Sequence, residues 1–244
     1  NFTADYICDG TADNVEIQNA INQSPGSILI KLLEGKYYLS APVNLGDGVG
    51  LEGMGSNQTV IVPNNVGAFA FNVSSGDIDK NMRIADLAID ATNFTSSHIN
   101  IIDHTGSGSL EDVVIENLRI DIGGSGTDNQ AISFGKKGAF NKNIRILDNI
   151  INSSIKYNYG IIFSHGPTWG LWIEGNYLNF SNSNSYNPIA VYGNSKYFYV
   201  KDNEITGMPG HGSIAVSPAS YGEITGNIVK ASSVAEEGGI EVEW

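Results

Sequence analysis

The amino-acid sequence predicts an all-β protein, a parallel β-helix of about 7 coils of 24 to 33 residues with one α-helix covering its first coil. The first observation is a six-residue motif of apolar, any, Asp/Gly/Asn, Asn/Leu, any and apolar residues. It recurs as IADLAI at 84, IENLRI at 115, ILDNII at 146, IEGNYL at 173, VKDNEI at 200 and ITGNIV at 224, with spacings of 31, 31, 27, 27 and 24 residues. The second observation is an apolar-x-apolar triplet after each motif. The third is that no helical stripe is long enough to cross over a sheet, which argues against a doubly wound α/β fold.

The stretches between motifs have the composition of short strands. They are rich in β-branched residues at every second position and are separated by Gly, Asn and Ser turns. About three strands in each unit fit a β-helix, in which each coil pairs with the next at about 4.8 Å and buries its inward residues. Asn at the fourth motif position suits a turn that repeats from coil to coil, since Asn tolerates left-handed backbone and its amide can bond to the next Asn. Leu87 and Leu118 take this position in the first two units.

The stretch DGTADNVEIQNAINQ predicts an amphipathic N-terminal helix with Thr11 or Asp13 as its N-cap. Its apolar set is Val15, Ile17, Ala20 and Ile21. Such a helix would cover the first coil, whose unpaired strand edge would otherwise recruit other chains. The stretch SILIKLLEGKYYLSAPVNLGDGVGLEGMG then supplies the first strands. We therefore expect one domain, 1–244, with a cap region at 1–30 and coils at 31–244.

The last residues, GGIEVEW, predict a strand that no closing helix or polar loop follows. An uncovered strand edge favours pairing with more chain. We therefore expect that the sequence is a fragment, or that a second polypeptide or fragment continues the β-helix at this end.

Charge and cysteine content argue against several classes of protein. The sequence has 13 Lys and Arg against 26 Asp and Glu, a formal charge of −13, whereas nucleic-acid binding needs clustered cations. No apolar run reaches the roughly 18 residues that a membrane-spanning helix needs. Cys8 is the single cysteine, so we expect a small buried hydrophobe and neither an internal disulfide nor a zinc site. Sequons that favour a secreted or cell-surface protein begin at Asn1, Asn22, Asn57, Asn72, Asn93, Asn152 and Asn179.

The order of the helix, LLEGKYYLSAPVNL, GVGLEGMGSNQTVI and the repeated motif resembles the pectin-lyase-like superfamily over essentially the whole chain. This resemblance implies a right-handed parallel β-helix. The opening ADYICDGTADNVEIQNAIN is also similar to archaeal disaggregatases, which are surface enzymes of methane-producing archaea, and to phage tail proteins. The disaggregatase resemblance implies cleavage of a chondroitin-like, uronate-containing matrix polysaccharide.

Candidate catalytic residues follow from aligning the coils on the first triplet residues, which are Ile99, Ile132, Ile161, Ile189, Ile214 and Ile240. In this alignment His211 lies about one coil from Glu236 and Glu237, within reach of a shared proton. Glycoside hydrolysis needs two carboxyl groups about 5 to 9.5 Å apart. The pair is drawn from Glu236, Glu237 and Glu241, because Asp128, a further candidate, lies four coils from Glu236, roughly 19 Å away. The alternatives are a turn histidine between glycines and a solvated acidic face.

Charged candidates for sugar binding form two groups. The alignment places Asp103, Lys136 and His165 in one column, which suits the binding of a uronate. Five cations within 21 residues predict a local positive patch, and these are Lys136, Lys137, Lys142, Arg145 and Lys156. The alternatives are a surface ion-pair ladder and cations that balance neighbouring acids.

Aromatic candidates for sugar binding also form two groups. Trp172 and Tyr199 stand one residue before the motif in adjacent coils, so they should point outward as a platform for pyranose rings. The other face is lined by Tyr157, Tyr159, Tyr186 and Tyr192. The alternative for Trp172 and Tyr199 is burial under a loop.

These residues favour an endo-acting glycoside hydrolase of an acidic, uronate-containing cell-surface glycan, with carboxylates as acid and base. A polysaccharide lyase remains open, with Lys136 and His165 as its residues, because β-elimination needs a cation beside the uronate and a base. A non-catalytic glycan-binding surface or tail-fibre module is the third hypothesis, since repeat folds host both roles. We expect an acidic polysaccharide partner, no nucleic acid, no membrane insertion and no cofactor, with calcium left open.

Overall fold

The computed structural model describes residues 5–24, 26–64, 70–73, 78–93, 98–104, 108–124, 128–134, 139–154, 162–185, 187–209, 212–231 and 239–242. These residues form one α-helix, α1 (Asn14–Asn22), and 23 parallel β-strands in three walls. The first wall contains β1 (Ile28–Lys31), β4 (Val49–Glu52), β7 (Ile78–Ala85), β10 (Ser109–Glu116), β13 (Asn141–Leu147), β16 (Thr168–Glu174) and β21 (Glu223–Thr225).

The second and third walls complete each coil. The second contains β2 (Gly35–Leu39), β5 (Thr59–Pro63), β8 (Ala88–Ala91), β11 (Arg119–Ile122), β14 (Ile150–Ser153), β17 (Tyr177–Ser185), β19 (Glu204–Pro209) and β22 (Ile228–Ala231). The third contains β3 (Val43–Leu45), β6 (Phe71–Val73), β9 (His98–Asp103), β12 (Asp128–Phe134), β15 (Ile162–Ser164), β20 (Ile214–Ser220) and β23 (Ile240–Val242). The long strand β18 (Ile189–Lys201) turns the corner between the third and first walls and joins them into one 15-stranded sheet.

The strand register reproduces the spacing of the sequence motif. On the second wall the paired residues are, in order along the axis, Ala88, Arg119, Ile150, Tyr177, Glu204 and Ile228. Their separations are 31, 31, 27, 27 and 24 residues, which are the motif spacings. Each repeat of the motif therefore closes one coil, and the predicted parallel β-helix with its N-terminal helix is confirmed.

The motif turns the chain from the first wall to the second. Its third residue has the left-handed conformation in all six copies, at Asp86, Asn117, Asp148, Gly175, Asp202 and Gly226, with φ between 52° and 68°. The expectation that the Asn at the fourth position takes this conformation is therefore wrong. Asp, Asn and Gly tolerate positive φ, which frees the fourth residue to point into the core.

Buried asparagines at the fourth position form a ladder of amides along the axis. The backbone N–H and side-chain Nδ2 of Asn149 both donate to Oδ1 of Asn176, at 3.0 and 2.9 Å. Asn176 donates in the same way to Asn203, and Asn203 to Asn227. Each Nδ2 also donates to a first-wall carbonyl, such as that of Ile146 for Asn176. The predicted amide stacking is confirmed, and Leu87 and Leu118 fill the same column in the two earlier coils.

The helix α1 covers the edge of the first coil with polar side chains. The Asp13 carboxylate accepts from the N–H groups of Gly10 and Tyr38, at 2.8 and 2.7 Å. Asn14 Oδ1 accepts from the N–H of Ser40, and Gln18 Oε1 accepts from the N–H of Asn44. Unpaired strand donors thus bond to the helix where a preceding coil would otherwise lie.

Two expectations about this cap region need correction. Ile17 and Ala20 are buried as predicted, whereas Val15 is 49% exposed. Asp13 occupies the N-cap position, but its carboxylate bonds to the strand edge and makes no cap to the helix. Cys8 is half-buried against the core, and burial, reinforced by the carboxylates of Asp13 and Glu16, raises the pKa of its thiol to about 11.

At the other end, the described part of the last strand lacks a covering coil. Ile240 and Val242 pair with Ile214 and Val216, which are 0% and 2% exposed. The two residues of β23 are 53% and 46% exposed, because no strand in the described ranges lies beyond them. Continuation of the β-helix by further chain stays a prediction. Among the described residues, no helix has the length and apolar character needed to cross a membrane.

Candidate functional site

A row of outward side chains on the first wall stands one residue before each motif. The register aligns Arg83, Val114, Arg145, Trp172, Tyr199 and Glu223 on successive strands. The rings of Trp172 and Tyr199 stack with centroids 5.6 Å apart and an interplanar angle of 16°. Both are partly exposed, so the predicted outward pair on adjacent coils is confirmed.

Cations lie over both rings of this pair. The Arg145 guanidinium carbon is 5.3 Å from the Trp172 centroid, and Lys201 Nζ is 5.2 Å from the Tyr199 centroid. Lys201 also pairs with Glu223 at 3.0 Å, and this bond raises the pKa of the lysine. Cation–π contacts of this kind place positive charge directly beside a flat apolar surface.

A second row of aromatic residues runs beside the first. Ring contacts link Phe140 to Trp169, Trp169 to Tyr197, and Tyr197 to Tyr221, with centroid distances of 5.1, 6.4 and 5.6 Å. The four side chains are 39%, 42%, 49% and 72% exposed. Lys196 Nζ lies 5.2 Å from the centroid of Trp169. We call the two rows together the aromatic–cation surface; it consists of Phe140, Arg145, Trp169, Trp172, Lys196, Tyr197, Tyr199, Lys201 and Tyr221.

The same wall carries neutralised charges in its earlier coils. Glu52 bonds to Arg83 and Lys31, and these two bonds hold the pKa of its carboxyl below the ordinary value. Arg83 also bonds to Glu116 at 2.7 Å. Here almost every cation faces a carboxylate, so little charge is left for a ligand.

Glu111 shows the same pattern one column away. It binds Lys142 at 2.7 Å and Lys80 at 3.2 Å, and these bonds hold its pKa below the ordinary value. Lys142, expected in the positive patch, therefore balances a neighbouring acid. In contrast, Arg145 and Lys196 form no ion pair with any described residue, so both keep their charge available on the aromatic–cation surface.

The chemistry of the aromatic–cation surface suits an acidic sugar polymer. The apolar faces of pyranose rings pack on aromatic side chains, and carboxylate or sulfate groups bond to Lys and Arg. The coils repeat at about 4.8 Å along the axis, so equivalent side chains recur at close, regular intervals. A linear polymer lying along the axis would meet an aromatic ring on each coil from Phe140 to Tyr221, and cations on the coils that carry Arg145 and Lys196.

The second wall carries a shallow polar hollow of about 350 Å³. It is lined by Thr92, Arg119, Asp121, Ile122, Asn152, Ser153, Ser154, Asn179 and Ser181. Asp121 accepts from Asn152 Nδ2 at 2.7 Å and pairs with Arg119 at 2.9 Å. Its register neighbour Asp90 accepts from Thr92. Local donors thus satisfy both carboxylates, and the hollow has none of the aromatic platform of the first wall.

One group of metal-ligand atoms occurs among the described residues, where Cys8, Asp13 and Glu16 bring ligand atoms within 4.8 Å of one another. The Asp13 carboxylate already accepts two backbone N–H groups that hold the cap in place. The Asp13 carboxylate therefore has a structural role in the cap. The absence of a cofactor, with calcium left open, stays an expectation.

The third-wall alignment used in the sequence analysis needs two corrections. The residues in register with Ile132 are Ile102 and Ile162, whereas the alignment used Ile99 and Ile161. Asp103 therefore faces Ser133 on the next coil. Asp103, Ser133 and Phe163 are in register on successive coils, so the predicted column is wrong in placing Asp103 with His165, and Lys136 lies outside the described residues.

Three residues of the outward column of the third wall are buried. Ser133, Ala190 and Ala215 are 4%, 0% and 2% exposed, and Glu241 follows Ala215 in register. Of the candidate residues, only the backbone is described for Asp103, Asp128 and Glu241. Outside the described residues lie Lys136, Lys137, Lys156, Tyr157, Tyr159, Tyr186, His211, Glu236 and Glu237. The catalytic assignments therefore stay predictions.

His165 and Tyr192 lie at the corner between the third and first walls. His165 follows Ser164 and Tyr192 follows Val191, and Ser164 and Val191 are in register at the ends of two paired third-wall segments. His165 is exposed and Tyr192 is partly exposed. The corner leads directly into the strand segments that carry Trp169 and Lys196, so both residues border the aromatic–cation surface.

Six of the nine residues of the aromatic–cation surface were not among the residues predicted from the sequence, namely Phe140, Trp169, Lys196, Tyr197, Lys201 and Tyr221. For four of them the signal was present in the columns three and four residues before each motif. The second of these contains Lys80, Glu111, Lys142, Trp169, Lys196 and Ser220, in register. Reading these columns as well as the one next to the motif would have shown charged residues giving way to aromatic ones.

No sequence-defined protein family matches the chain, and no curated protein matches it in sequence. Solved structures do match. A surface adhesin of Streptococcus pneumoniae, PfbA, shares 15% identity over 92% of this chain and 61% of its own, with a TM-score of 0.67. A PL6 family alginate lyase, AlyGC, in a mutant form, shares 12% identity over 100% and 41%, with a TM-score of 0.57. An iota-carrageenase complexed to iota-carrageenan fragments shares 12% identity over 87% and 55%, with a TM-score of 0.55.

In each of the three cases this chain spans less than two thirds of the other protein. At 12 to 15% identity the similarity shows the shared parallel β-helix and nothing finer.

Proposed function

We propose that the protein binds an acidic, uronate-containing polysaccharide along the aromatic–cation surface and cleaves it as an endo-acting glycoside hydrolase outside the cell. One observation carries the proposal: three cations lie over three aromatic rings in a protein of formal charge −13. The rings are on the adjacent strands β16 and β18, and the cations are on β18 and on β13, the strand on the other side of β16. Such a concentration of positive charge and apolar rings on one wall matches a ligand that offers both carboxylates and sugar faces.

The charge distribution supports an anionic polymer over a neutral one. Arg145 and Lys196 have no acidic partner among the described residues, so a ligand carboxylate would meet them without displacing an internal ion pair. The acidic remainder of the protein repels an anion, which restricts binding to this wall.

Cleavage is the part of the proposal that rests on the sequence. Glu237 and Glu241 are the proposed acid and base, with His211 and Asp128 as further candidates, because hydrolysis needs paired carboxyl groups. The alginate lyase and the iota-carrageenase among the structural neighbours support polysaccharide processing by this fold, and the disaggregatase resemblance supports a uronate-containing substrate. A lyase and a binding module such as the adhesin are the competing functions.

Binding is tested with matched aromatic variants. Trp172→Ala should weaken binding to polygalacturonate, alginate or chondroitin by about tenfold, since it removes the stacked ring under Arg145. Tyr177→Ala is the control, because Tyr177 is an aromatic residue of the second wall with 37% exposure. Affinity electrophoresis or titration calorimetry reports both. Equal losses in the two variants, or no binding of any of the three polymers by the unaltered protein, would contradict the proposal.

Cleavage is tested by incubating the protein with the same polymers. New reducing ends without an unsaturated product support the hydrolase, and reducing ends with absorbance of an unsaturated product support a lyase. Binding without either signal supports a module that only holds the glycan. Glu237→Gln and Glu241→Gln should abolish cleavage while leaving binding at the first wall intact; cleavage that survives both changes shows that the catalytic assignment is wrong.

A further inference from the structure

Three residues before each motif, the first wall contains a column of left-handed residues. Its members are Asn81, Asp112, Asn143, Gly170, Tyr197 and Tyr221, with φ of 56°, 57°, 53°, 74°, 56° and 57°. The strand pairing skips these positions, since Glu111 pairs with Lys142 and Val113 with Ile144. The column is therefore an interruption of the strand pairing that repeats from coil to coil, with one residue on each strand and no change of register.

The residue types along this left-handed column change at its last two positions. Asn, Asp and Gly tolerate positive φ, and they occupy the first four coils of the column. A bulky aromatic residue at positive φ is a conformational outlier, yet Tyr197 and Tyr221 adopt the same left-handed backbone. Backbone geometry alone would favour Asn or Gly at both positions.

The two tyrosines place their rings in water, side by side. Tyr197 is 49% exposed and Tyr221 is 72% exposed, and their rings stack at 5.6 Å with an interplanar angle of 19°. Tyr197 also contacts the edge of Trp169. Among the described residues, three cations contact rings of this wall and lie over Trp169, Trp172 and Tyr199, whereas none lies over these two rings. The left-handed positions thus carry an exposed aromatic pair with no cation over either ring.

We propose that Tyr197 and Tyr221 form a stacking subsite for the uncharged faces of pyranose rings, as a continuation of the cation-bearing part of the surface. The inference rests on the proposed function, because the same acidic polymer occupies both parts. Its binding then has two components: a salt-dependent one at Arg145 and Lys196, and a salt-independent one at the two tyrosines. Stacking of the rings on each other without a ligand is the competing explanation.

The experiment replaces both tyrosines with a residue that the left-handed backbone favours. The double variant Tyr197→Asn/Tyr221→Asn should keep or raise the melting temperature, because Asn tolerates the left-handed backbone. Its affinity for the uronate polymer that the unaltered protein binds most tightly should fall about tenfold in 0.5 M NaCl and less in 0.05 M NaCl. The double variant Tyr197→Phe/Tyr221→Phe should retain the affinity, since it keeps both rings, and Tyr177→Asn on the second wall should leave it unchanged.

Each other outcome counts against the inference. Unaltered affinity of the Asn variant at high salt, while Trp172→Ala still weakens binding, overturns the subsite and leaves the proposed function standing. A melting temperature several degrees lower in the Asn variant shows that the rings serve the fold. If the unaltered protein binds none of the polymers, the proposed function fails and the subsite fails with it.

Discussion

The coils that carry Leu87 and Leu118 differ from those that carry Asn149, Asn176 and Asn203, both inside and outside. Inside, two leucines fill the column at the corner between the first and second walls, and three buried asparagine amides replace them in the later coils. Outside, ion-pair ladders on the earlier strands of the first wall give way to stacked rings and cations. The backbone of the turn is the same in both regions, since the third motif residue is left-handed in all six copies.

The difference teaches that this fold constrains few side chains. The motif needs a residue that tolerates positive φ and an inward residue of about the size of Leu or Asn. The outward columns have no such requirement, so the same wall can carry charge pairs in one region and aromatic rings in another. Outward residues that depart from the simplest solution are therefore the ones that indicate function.

The largest expected effect concerns the inner difference. Asn176→Leu should lower the free energy of unfolding by about 3 kcal/mol, although Leu occupies the same column at Leu118, because the N–H and Nδ2 of Asn149 lose their buried acceptor. Denaturant unfolding measures the loss. Asn179→Leu, an exposed asparagine with a weak bond of 3.4 Å to Asn152, should change stability by less than about 1 kcal/mol. A loss of less than about 1 kcal/mol for Asn176→Leu would show that the Leu and Asn coils are interchangeable inside.

The next effect tests the outer difference with two arginines of one column. Arg145→Ala should weaken binding of a uronate polymer by about tenfold, since its charge lies over Trp172 and is unpaired among the described residues. Arg83→Ala should change binding by less than about twofold, because Glu52 and Glu116 already neutralise Arg83. Titration calorimetry at low salt compares them. A similar loss in both variants would remove the distinction between the two regions.

Stability should respond to the same two variants in the opposite order. Arg83→Ala breaks three ion pairs, with Glu52, Asp86 and Glu116, and should cost at most about 1 kcal/mol, since the side chains involved are partly exposed. Arg145→Ala breaks one cation–π contact at an exposed site and should cost about 0.5 kcal/mol. Thermal and urea unfolding of the two variants are the measurements, and a larger cost for Arg145 would assign it a structural role.

The smallest effect is a difference in pH dependence. The folded-state pKa of Glu52 is lowered, chiefly by its bond to Arg83 and then by Lys31, so its contribution is complete above about pH 4.3 and is lost as the pH falls further. The pKa of Lys201 is raised by its bond to Glu223, so its contribution is complete below about pH 10.4 and is lost as the pH rises further. Melting temperatures of Glu52→Gln and Lys201→Met should therefore converge on that of the unaltered protein in acid and in alkali, respectively. Convergence of both at the same end of the pH range would contradict the assignment.

The sequence predicted the features that repeat with the motif. The motif holds the turn, one residue that tolerates positive φ and one inward residue, so its spacing gave the coil lengths and placed Trp172 and Tyr199 outward on adjacent coils. The residues of the third wall were aligned wrongly from the sequence because its strands contain apolar residues at both odd and even positions, so that two registers fit the pattern. In HINIID both Ile99 and Ile102 fit an inward position, and only pairing with Phe71 and Ile132 selects Ile102.

The rest of the candidate site depended on contacts between coils. Nothing local to Lys142 shows that it binds Glu111, 31 residues earlier, while Arg145 lies over a ring. The left-handed column was not evident in the sequence because its six residues are of four types. Two of the six are tyrosines, which strand propensity alone would place in an ordinary strand.

The chain of buried amides has a consequence for the surface outside it. Each of Asn176, Asn203 and Asn227 accepts two hydrogen bonds from the asparagine one coil before it. Neighbouring coils therefore cannot shift relative to each other without breaking both of the hydrogen bonds that join their asparagines. A slip of one position would send the outward rings into the interior. The buried asparagines therefore fix the register that stacks Trp172 on Tyr199. Substituting one of them should disorder the stacking of the two rings at conditions in which the protein is still folded.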